Sequence, residues 1–297
     1  MTTGTADALP PLDTALVRRL LDQQFPAWSG MPLTLVDPAG SDHVIHRLGS
    51  ELSVRLPRHS GAVGQAGKEY TWLPRLAPHL PLPVPVPVAV GEPGCGYPWP
   101  WSVSRWLVGE AATVESLAHS PRAAEDLAEF LAALHRAPRT APAQRPPDAL
   151  TTWSLTERDT ATRAAIEETR GIFDARAMAD LWNAALDAPR WGGPPLWFHG
   201  DFHTGNLLTV EGRISAVIDF GELGIGDPAC DLMIAFTLLS DRTRPVFRAA
   251  LGVDDATWLR GRAWAMATGL NAYTTYAAVN PRVAAQTTRQ ITQALTG

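Results

Sequence analysis

Between Trp197 and Asn206 the chain reads Trp-Phe-His-Gly-Asp-Phe-His-Thr-Gly-Asn, and Val217-Ile218-Asp219-Phe220-Gly221 follows shortly downstream. His199, Asp201 and Asn206 make the pattern H-x-D-x-x-x-x-N, and Asp219 to Gly221 make D-F-G. Residues in this order suit transfer of a phosphoryl group to a hydroxyl. The first Asp orients the attacking hydroxyl, while the Asn and the second Asp hold magnesium on nucleotide phosphates. Asp201 is therefore the expected catalytic carboxylate, and Asn206 and Asp219 are the expected magnesium ligands. Either short motif alone fits a turn or a strand end. Six matched positions in order carry the reading.

Two short apolar runs, Leu207–Val210 and Arg213–Ile218, flank Glu211-Gly212. A two-residue turn there predicts a β-hairpin. In that register Asn206 lies opposite Val217, and Asp219 follows two residues later on the same face. Diagonal neighbours of this kind are about 7–8 Å apart, close enough for two oxygens to reach one magnesium at about 2.0–2.1 Å.

At 297 residues the chain is long enough for two domains or one large one. A hydrophobic fraction of 45% and a charged fraction of 19% describe a soluble globule. The net charge of −5 offers no general attraction to nucleic acid or an anionic membrane. Cys95 and Cys230 lack metal-ligand spacing and suggest a reducing compartment. Met1–Pro11 lacks a secretory pattern, and no apolar stretch approaches the about 20 residues that span a bilayer. A cytoplasmic enzyme, monomer or homodimer, is the expectation. No G-x-x-x-x-G-K-[ST] sequence occurs, which excludes the P-loop route to phosphoryl transfer.

The elements that must position the motif read in two blocks. Leu12–Gln24 carries a helical stripe, and three strand-like runs follow at Leu33–Val36, His43–Leu48 and Glu51–Leu56, an antiparallel meander. Val63–Leu73 reads as a helix that Pro74 should end or kink. Pro81–Pro87 must be extended, and Trp99–Leu107 is apolar and aromatic. A boundary is expected there, dividing residues 1–106 from 107–297. Beyond it Ser120-Pro121 starts a helix that buries Leu127, Phe130, Leu131 and Leu134. Pro138–Pro147 reads as a polar loop. Helical patterns return at Leu155–Arg170, Ala175–Leu186, Ala229–Leu239, Asp254–Ala278 and Arg282–Leu295. The class is α+β.

His199-Gly200-Asp201 with Asn206 resembles the catalytic loop of the aminoglycoside phosphotransferases, antibiotic kinases of the protein-kinase-like superfamily. Ile218-Asp219-Phe220-Gly221 and the downstream Gly226-Asp227-Pro228-Ala229-Cys230-Asp231-Leu232 resemble that family's metal-binding segment. The resemblance implies a protein-kinase-like two-lobe fold, with a small antiparallel-sheet N-lobe for nucleotide and a larger, mainly helical C-lobe. It further implies ATP or GTP as phosphoryl donor and Mg2+ as cofactor. The partners are then the nucleoside triphosphate and a small-molecule hydroxyl acceptor. Asp227-Pro228 also fits a helix N-cap followed by proline at the first turn.

The N-terminal block departs from the protein-kinase pattern. No lysine stands on the third strand, whose Leu52, Val54 and Leu56 share one face and leave Arg55 opposite. Arg55 is the candidate phosphate contact, with Glu69 on the following helix as its partner and Lys68 as the rival cation. G-x-G-x-x-G is absent, and Ser41 in the Gly40–His43 turn is the candidate replacement. Backbone groups of Ser104, Arg105 and Trp106 are the candidates to hold adenine. His199 reads as a hydrogen bonder that orients the loop, and His203 as a supporting neighbour.

The acceptor is an aminoglycoside-type antibiotic if carboxylates line its site, with Glu222, Asp227 and Asp231 as candidates. Tyr273, with Tyr276 and Trp264, would instead wall an apolar pocket suited to a macrolide. A metabolite kinase for choline, homoserine or a sugar, and a non-catalytic nucleotide-binding protein, are the alternatives.

Overall fold

The computed structural model of the chain describes residues 9–37, 40–139, 150 and 154–297. Most of the expected Pro138–Pro147 loop, Pro38-Ala39 of the first turn, and most of the Met1–Pro11 start lie outside the described residues. The chain divides into two compact units. One comprises residues up to Pro78 together with Val84–Leu107, and the other comprises His79–Pro83 with Val108–Gly297.

The first unit begins with α1 (Thr14–Gln24), started by Asp13, whose carboxylate accepts the Leu16 N–H at 2.8 Å. Strands β1 (Leu33–Leu35), β2 (His43–Leu48) and β3 (Leu52–Pro57) form the expected antiparallel meander. Helix α2 (Gln65–Leu76) follows, then β4 (Pro87–Gly91) and β5 (Trp101–Arg105). β5 inserts between β3 and β4, giving the order β1-β2-β3-β5-β4. One face of this sheet buries Leu48, Leu52, Val54, Leu56 and Val103 against Leu16, Val17, Leu20 and Leu21 of α1. Strand alternation then puts Arg55 on the other face. Strand β4 was not expected. It lies in a Pro-rich stretch at the sheet edge, where a missing N–H is tolerated.

Pro74 neither ends nor breaks α2, which continues through it to Leu76. The carbonyl that loses its donor belongs to Tyr70, which is exposed, so water can take the bond.

The second unit opens with β6 (Glu110–Ala111), α3 (Val114–Leu117) and α4 (Pro121–Arg136). Ser120 caps α4 by accepting the Ala123 N–H at 3.1 Å, and Leu127, Phe130, Leu131 and Leu134 are buried as expected. Helices α5 (Leu155–Glu168) and α6 (Ala175–Asp187) lead into β7 (Leu196–Phe198), β8 (Leu207–Val210), β9 (Arg213–Val217) and β10 (Gly224–Gly226). A 3₁₀ segment, Pro228–Met233, replaces the start of the helix expected from Ala229. Then come α7 (Ile234–Thr237), α8 (Arg244–Leu251), α9 (Asp255–Tyr276) and α10 (Pro281–Thr296). Helix α8 was missed because eight residues give little periodicity. Helix α9 is the axis, packed by α5, α6, α10 and the 3₁₀ segment.

His135, half-buried near the end of α4, has a buried Nε2 with no hydrogen-bond partner among the described residues. Burial, assisted by the Arg136 charge, moves it down to about 4 from its ordinary 6.5. The unfolded chain therefore takes up this proton first. Its contribution to stability is complete above about pH 6.5 and drains away as pH falls toward 4. Urea midpoints at pH 7 and pH 5 should differ less in His135→Leu than in the wild type.

Candidate active site

Strand β7 carries the chain into the catalytic segment, and pairing of Phe198 with Gly224 fixes its end. Phe202 anchors the loop by stacking on Phe130 of α4, ring centroids 5.6 Å apart. Gly200 has φ +87, and a Cβ there would come within 2.4 Å of the Glu222 carbonyl oxygen. Only glycine fits that backbone and that gap.

Asp231 is wholly buried, and its two carboxylate oxygens accept the His199 N–H at 2.7 Å and the Gly200 N–H at 2.8 Å. Burial pushes its carboxyl up to about 7, against the pull of those two donors. His199 is equally buried. Its Nδ1 accepts the Asp201 N–H at 3.2 Å, so Nε2 carries the proton and donates to the Ile218 carbonyl at 3.0 Å. Burial depresses its pKa and keeps the ring neutral. One imidazole thus joins the catalytic loop to the residue before Asp219.

The hairpin turns through Glu211-Gly212 as expected, but its register differs. Leu207 pairs with Val217 and Thr209 with Ile214, so Ser215 is an extra residue in β9. Asn206 therefore lies beside Ile218, whose N–H donates to its carbonyl at 2.9 Å. Strict alternation would now put Asp219 on the wrong face. Asp219 instead takes φ +64, a left-handed conformation that removes it from the strand. Its carboxylate acts electrostatically on His199 and His203, the same two rings that Asp201 influences. Bulge and left-handed residue together bring the two carboxylates into one neighbourhood.

The Asp201 side chain is 46% exposed. Packing around it opposes ionisation, yet His203, His199 and the Asn206 amide hold its carboxyl well below the usual carboxylate range. Its Oδ2 accepts from Asn206 Nδ2 at 3.1 Å and lies 3.4 Å from His203 Nε2. Asn206 Nδ2 also donates to the Asp201 carbonyl at 2.9 Å. Both amide hydrogens face Asp201, so the amide oxygen is the atom presented as a ligand. A carbonyl oxygen from Asn206 and a carboxylate from Asp219 suit a hard, oxygen-seeking cation such as magnesium. Among the described residues, no group of three or more His, Cys, Asp or Glu could hold a metal ion.

Two acceptor candidates are corrected. Asp231 is sealed from solvent with both oxygens committed to the loop. Asp227 caps the 3₁₀ segment by accepting the Ala229 N–H at 3.0 Å, and it takes Arg260 Nε at 2.7 Å and Nη2 at 3.2 Å. Both serve structure. Glu222 is half-buried and acts electrostatically on Arg158, which stacks over Trp264 at 5.1 Å. Tyr273 is half-buried, edge-on to Phe173 at 5.1 Å. The bonds from the His199 and Gly200 N–H groups to Asp231 were not expected, although a lone carboxylate inside the apolar run Ala229–Met233 signals a buried, hydrogen-bonded group.

In the first unit Arg55 is buried and paired with Glu69, both bonds running from Nη1, at 2.7 and 3.0 Å. The rival Lys68 is also buried. Ser41 is exposed and donates to Asp42 at 3.0 Å. Of the backbone groups expected to hold adenine, two N–H groups are already donated. The Arg105 N–H is given to the Val86 carbonyl at 3.0 Å and the Trp106 N–H to the Glu51 carbonyl at 2.8 Å. Ser104 lies in β5, paired on both sides.

A family model described as "Phosphotransferase enzyme family" matches residues 36–264. A search of curated proteins finds no match. Among solved structures, the GDP and kanamycin complex of APH(2")-IIia is similar, with a TM-score of 0.75 at 18% identity over 94% of this chain and 98% of that one. The macrolide 2'-phosphotransferase MphH from Brachybacterium faecium has a TM-score of 0.62 at 23% identity, over 95% of this chain and 98% of that one. At such identities the likeness establishes a shared fold.

Asp231→Asn replaces one acceptor oxygen by a donor facing an N–H, and should cost about 1–3 kcal/mol of stability. Gly200→Ala should be at least as damaging. Urea midpoints together with amide exchange across residues 199–206 check both, and an undisturbed loop in either variant would contradict the assignment.

Proposed function

Since the chain belongs to the phosphotransferase enzyme family, we propose that it transfers the γ-phosphoryl group of ATP or GTP to a hydroxyl of a small-molecule antibiotic. The observation that carries this reading is the clustering of Asp201, Asn206 and Asp219 around the His199 clasp. A cytoplasmic location fits it, and no helix among the described residues is long and apolar enough to cross a membrane.

The acceptor hydroxyl donates a hydrogen bond to the exposed Asp201 carboxylate. A carboxylate held below its usual pKa is a weak base, so its main work is orientation. The proton passes to it late, once the acceptor oxygen has bonded to phosphorus and become acidic. Asn206 Oδ1 and the Asp219 carboxylate would hold Mg2+, which supplies charge neutralisation on the phosphates. Arg55, oriented by Glu69, is the proposed phosphate contact, with Ser41 assisting. With the Arg105 and Trp106 N–H groups already donated, adenine contacts from the Ser104–Trp106 segment narrow to carbonyl oxygens.

An aminoglycoside-type acceptor is the first reading, with Glu222 as its remaining carboxylate. A macrolide acceptor is the second. It is favoured by the commitment of Asp227 and Asp231 to structure and by Arg158, which sets a positive charge and an aromatic face beside Glu222. Polycations gain little from such a surrounding.

Magnesium-dependent nucleotide consumption should be measured with aminoglycosides, macrolides, choline and homoserine. Stimulation by one antibiotic class, reduced about 10²–10⁴-fold in Asp201→Ala with nucleotide binding retained, is the expected result. Stimulation only by choline or homoserine would replace the antibiotic reading by a metabolic one. In Asp219→Ala the magnesium concentration needed for nucleotide binding should rise, and an unchanged requirement would remove Asp219 from the metal site.

A further inference from the structure

In the second unit, a cavity of about 540 Å³ opens beside α8 and α10, remote in sequence from the catalytic segment. Arg244, Arg289, His119, Ser240, Gln293 and Asp241 line it, together with Gly297. None belongs to the loop, hairpin or acceptor candidates described above.

Arg244 is only 4% exposed, and its guanidinium donates to the Gln293 carbonyl at 3.4 Å and to the Gln293 side-chain oxygen, both neutral acceptors. Arg289 donates to the Leu238 carbonyl at 2.9 Å and the Leu239 carbonyl at 3.3 Å, again neutral. The Nε of each is buried without an acceptor. Among the described residues neither forms an ion pair, and Asp241 and Glu115 act on them only at longer range. Burial lowers the pKa of both, and repulsion from Arg289 and Arg262 adds to it for Arg244.

Buried cations without a counter-charge are costly to fold, and a guanidinium presents its donors in a fork that matches carboxylate and phosphate oxygens. Neutral helix-end carbonyls account for part of this arrangement, since Arg244 meets the last turn of α10. They do not account for two arginines that line one open cavity and, among the described residues, are in no ion pair. We propose that the cavity binds a small organic oxyanion, a phosphate or carboxylate of metabolite size, gripped by Arg244 and Arg289 with the Ser240 and His119 side chains beside them. A ligand seated here braces α8 against the end of α10. The site is independent of the acceptor's identity.

The test is hydrogen exchange of the full chain with inorganic phosphate, and separately with citrate, against sodium chloride of equal ionic strength. Exchange across residues 240–244 and 289–296 should slow about tenfold when phosphate is present at ten times its Kd. Arg289→Gln should weaken the phosphate affinity at least tenfold, leaving about twofold protection or less at the same concentration, while Asp241→Asn, which removes the one side-chain carboxylate in the lining, should strengthen it. Protection by citrate as well would assign general oxyanion recognition, and protection by phosphate alone would assign a phosphate ligand. No local slowing with either anion overturns the proposal. So does an affinity unchanged in both variants, or a rise in Tm equal in all three proteins, which marks an adventitious ion only.

Discussion

The Asp231 carboxylate accepts the main-chain N–H groups of His199 and Gly200, and the catalytic loop depends on that pair of bonds. Without them the loop would expose two buried donors to an apolar interior, each costing about 1–3 kcal/mol. With them the chain is held in the sharp turn that only Gly200 permits, and Asp201 emerges half-exposed on the far side. The 3₁₀ segment also packs against α9, where Gly261 has no room for a Cβ beside Leu232, so the helix approaches closely. A structural ion pair, Asp227 with Arg260, ties the other end of the segment to α9.

From this anchor the geometry propagates through one neutral imidazole. His199 receives the Asp201 N–H on one nitrogen and donates to Ile218 with the other, so loop and hairpin move as one piece. Its burial matters chemically. A protonated ring would lose the Asp201 bond, and a desolvated site disfavours that proton. The extra residue at Ser215 and the left-handed Asp219 complete the construction, the one shifting the strand register and the other undoing the shift's effect on side-chain direction. A non-glycine residue at positive φ carries a local cost, and its position at the expected metal ligand follows the tendency of such strain to collect at functional sites.

Charge is distributed by burial rather than by count. The net charge is −5, but Asp227 and Asp231 spend their charge on an arginine and on backbone N–H groups. Arg55 and Glu69 likewise neutralise each other inside the first unit. Arg244 and Arg289 are the exception, one buried and one half-buried, with neutral oxygens as their hydrogen-bond acceptors among the described residues.

The residue order alone suggested the chemistry, through Asp201, Asn206 and Asp219 at their spacing, and it determined the Glu211-Gly212 turn, the meander of β1 to β3 and the Ser120-Pro121 helix start. These are local signals, set by side-chain type, turn preference and short periodicities that neighbours in sequence can express. It also placed Arg55 opposite the core face of β3 and put Glu69 near it. Tertiary structure decided the rest. Pro74 could continue a helix because the carbonyl it orphans belongs to Tyr70, an exposed residue. Ser215 could be extra because a bulge is tolerated where the strand ends at a site. Asp231 became a buried acceptor, and the Arg105 and Trp106 amides were taken by strand neighbours distant in sequence. Each of these depends on which groups meet after the chain has folded back on itself, and hydrogen-bond partners separated by many residues leave no periodic trace for a sequence to display.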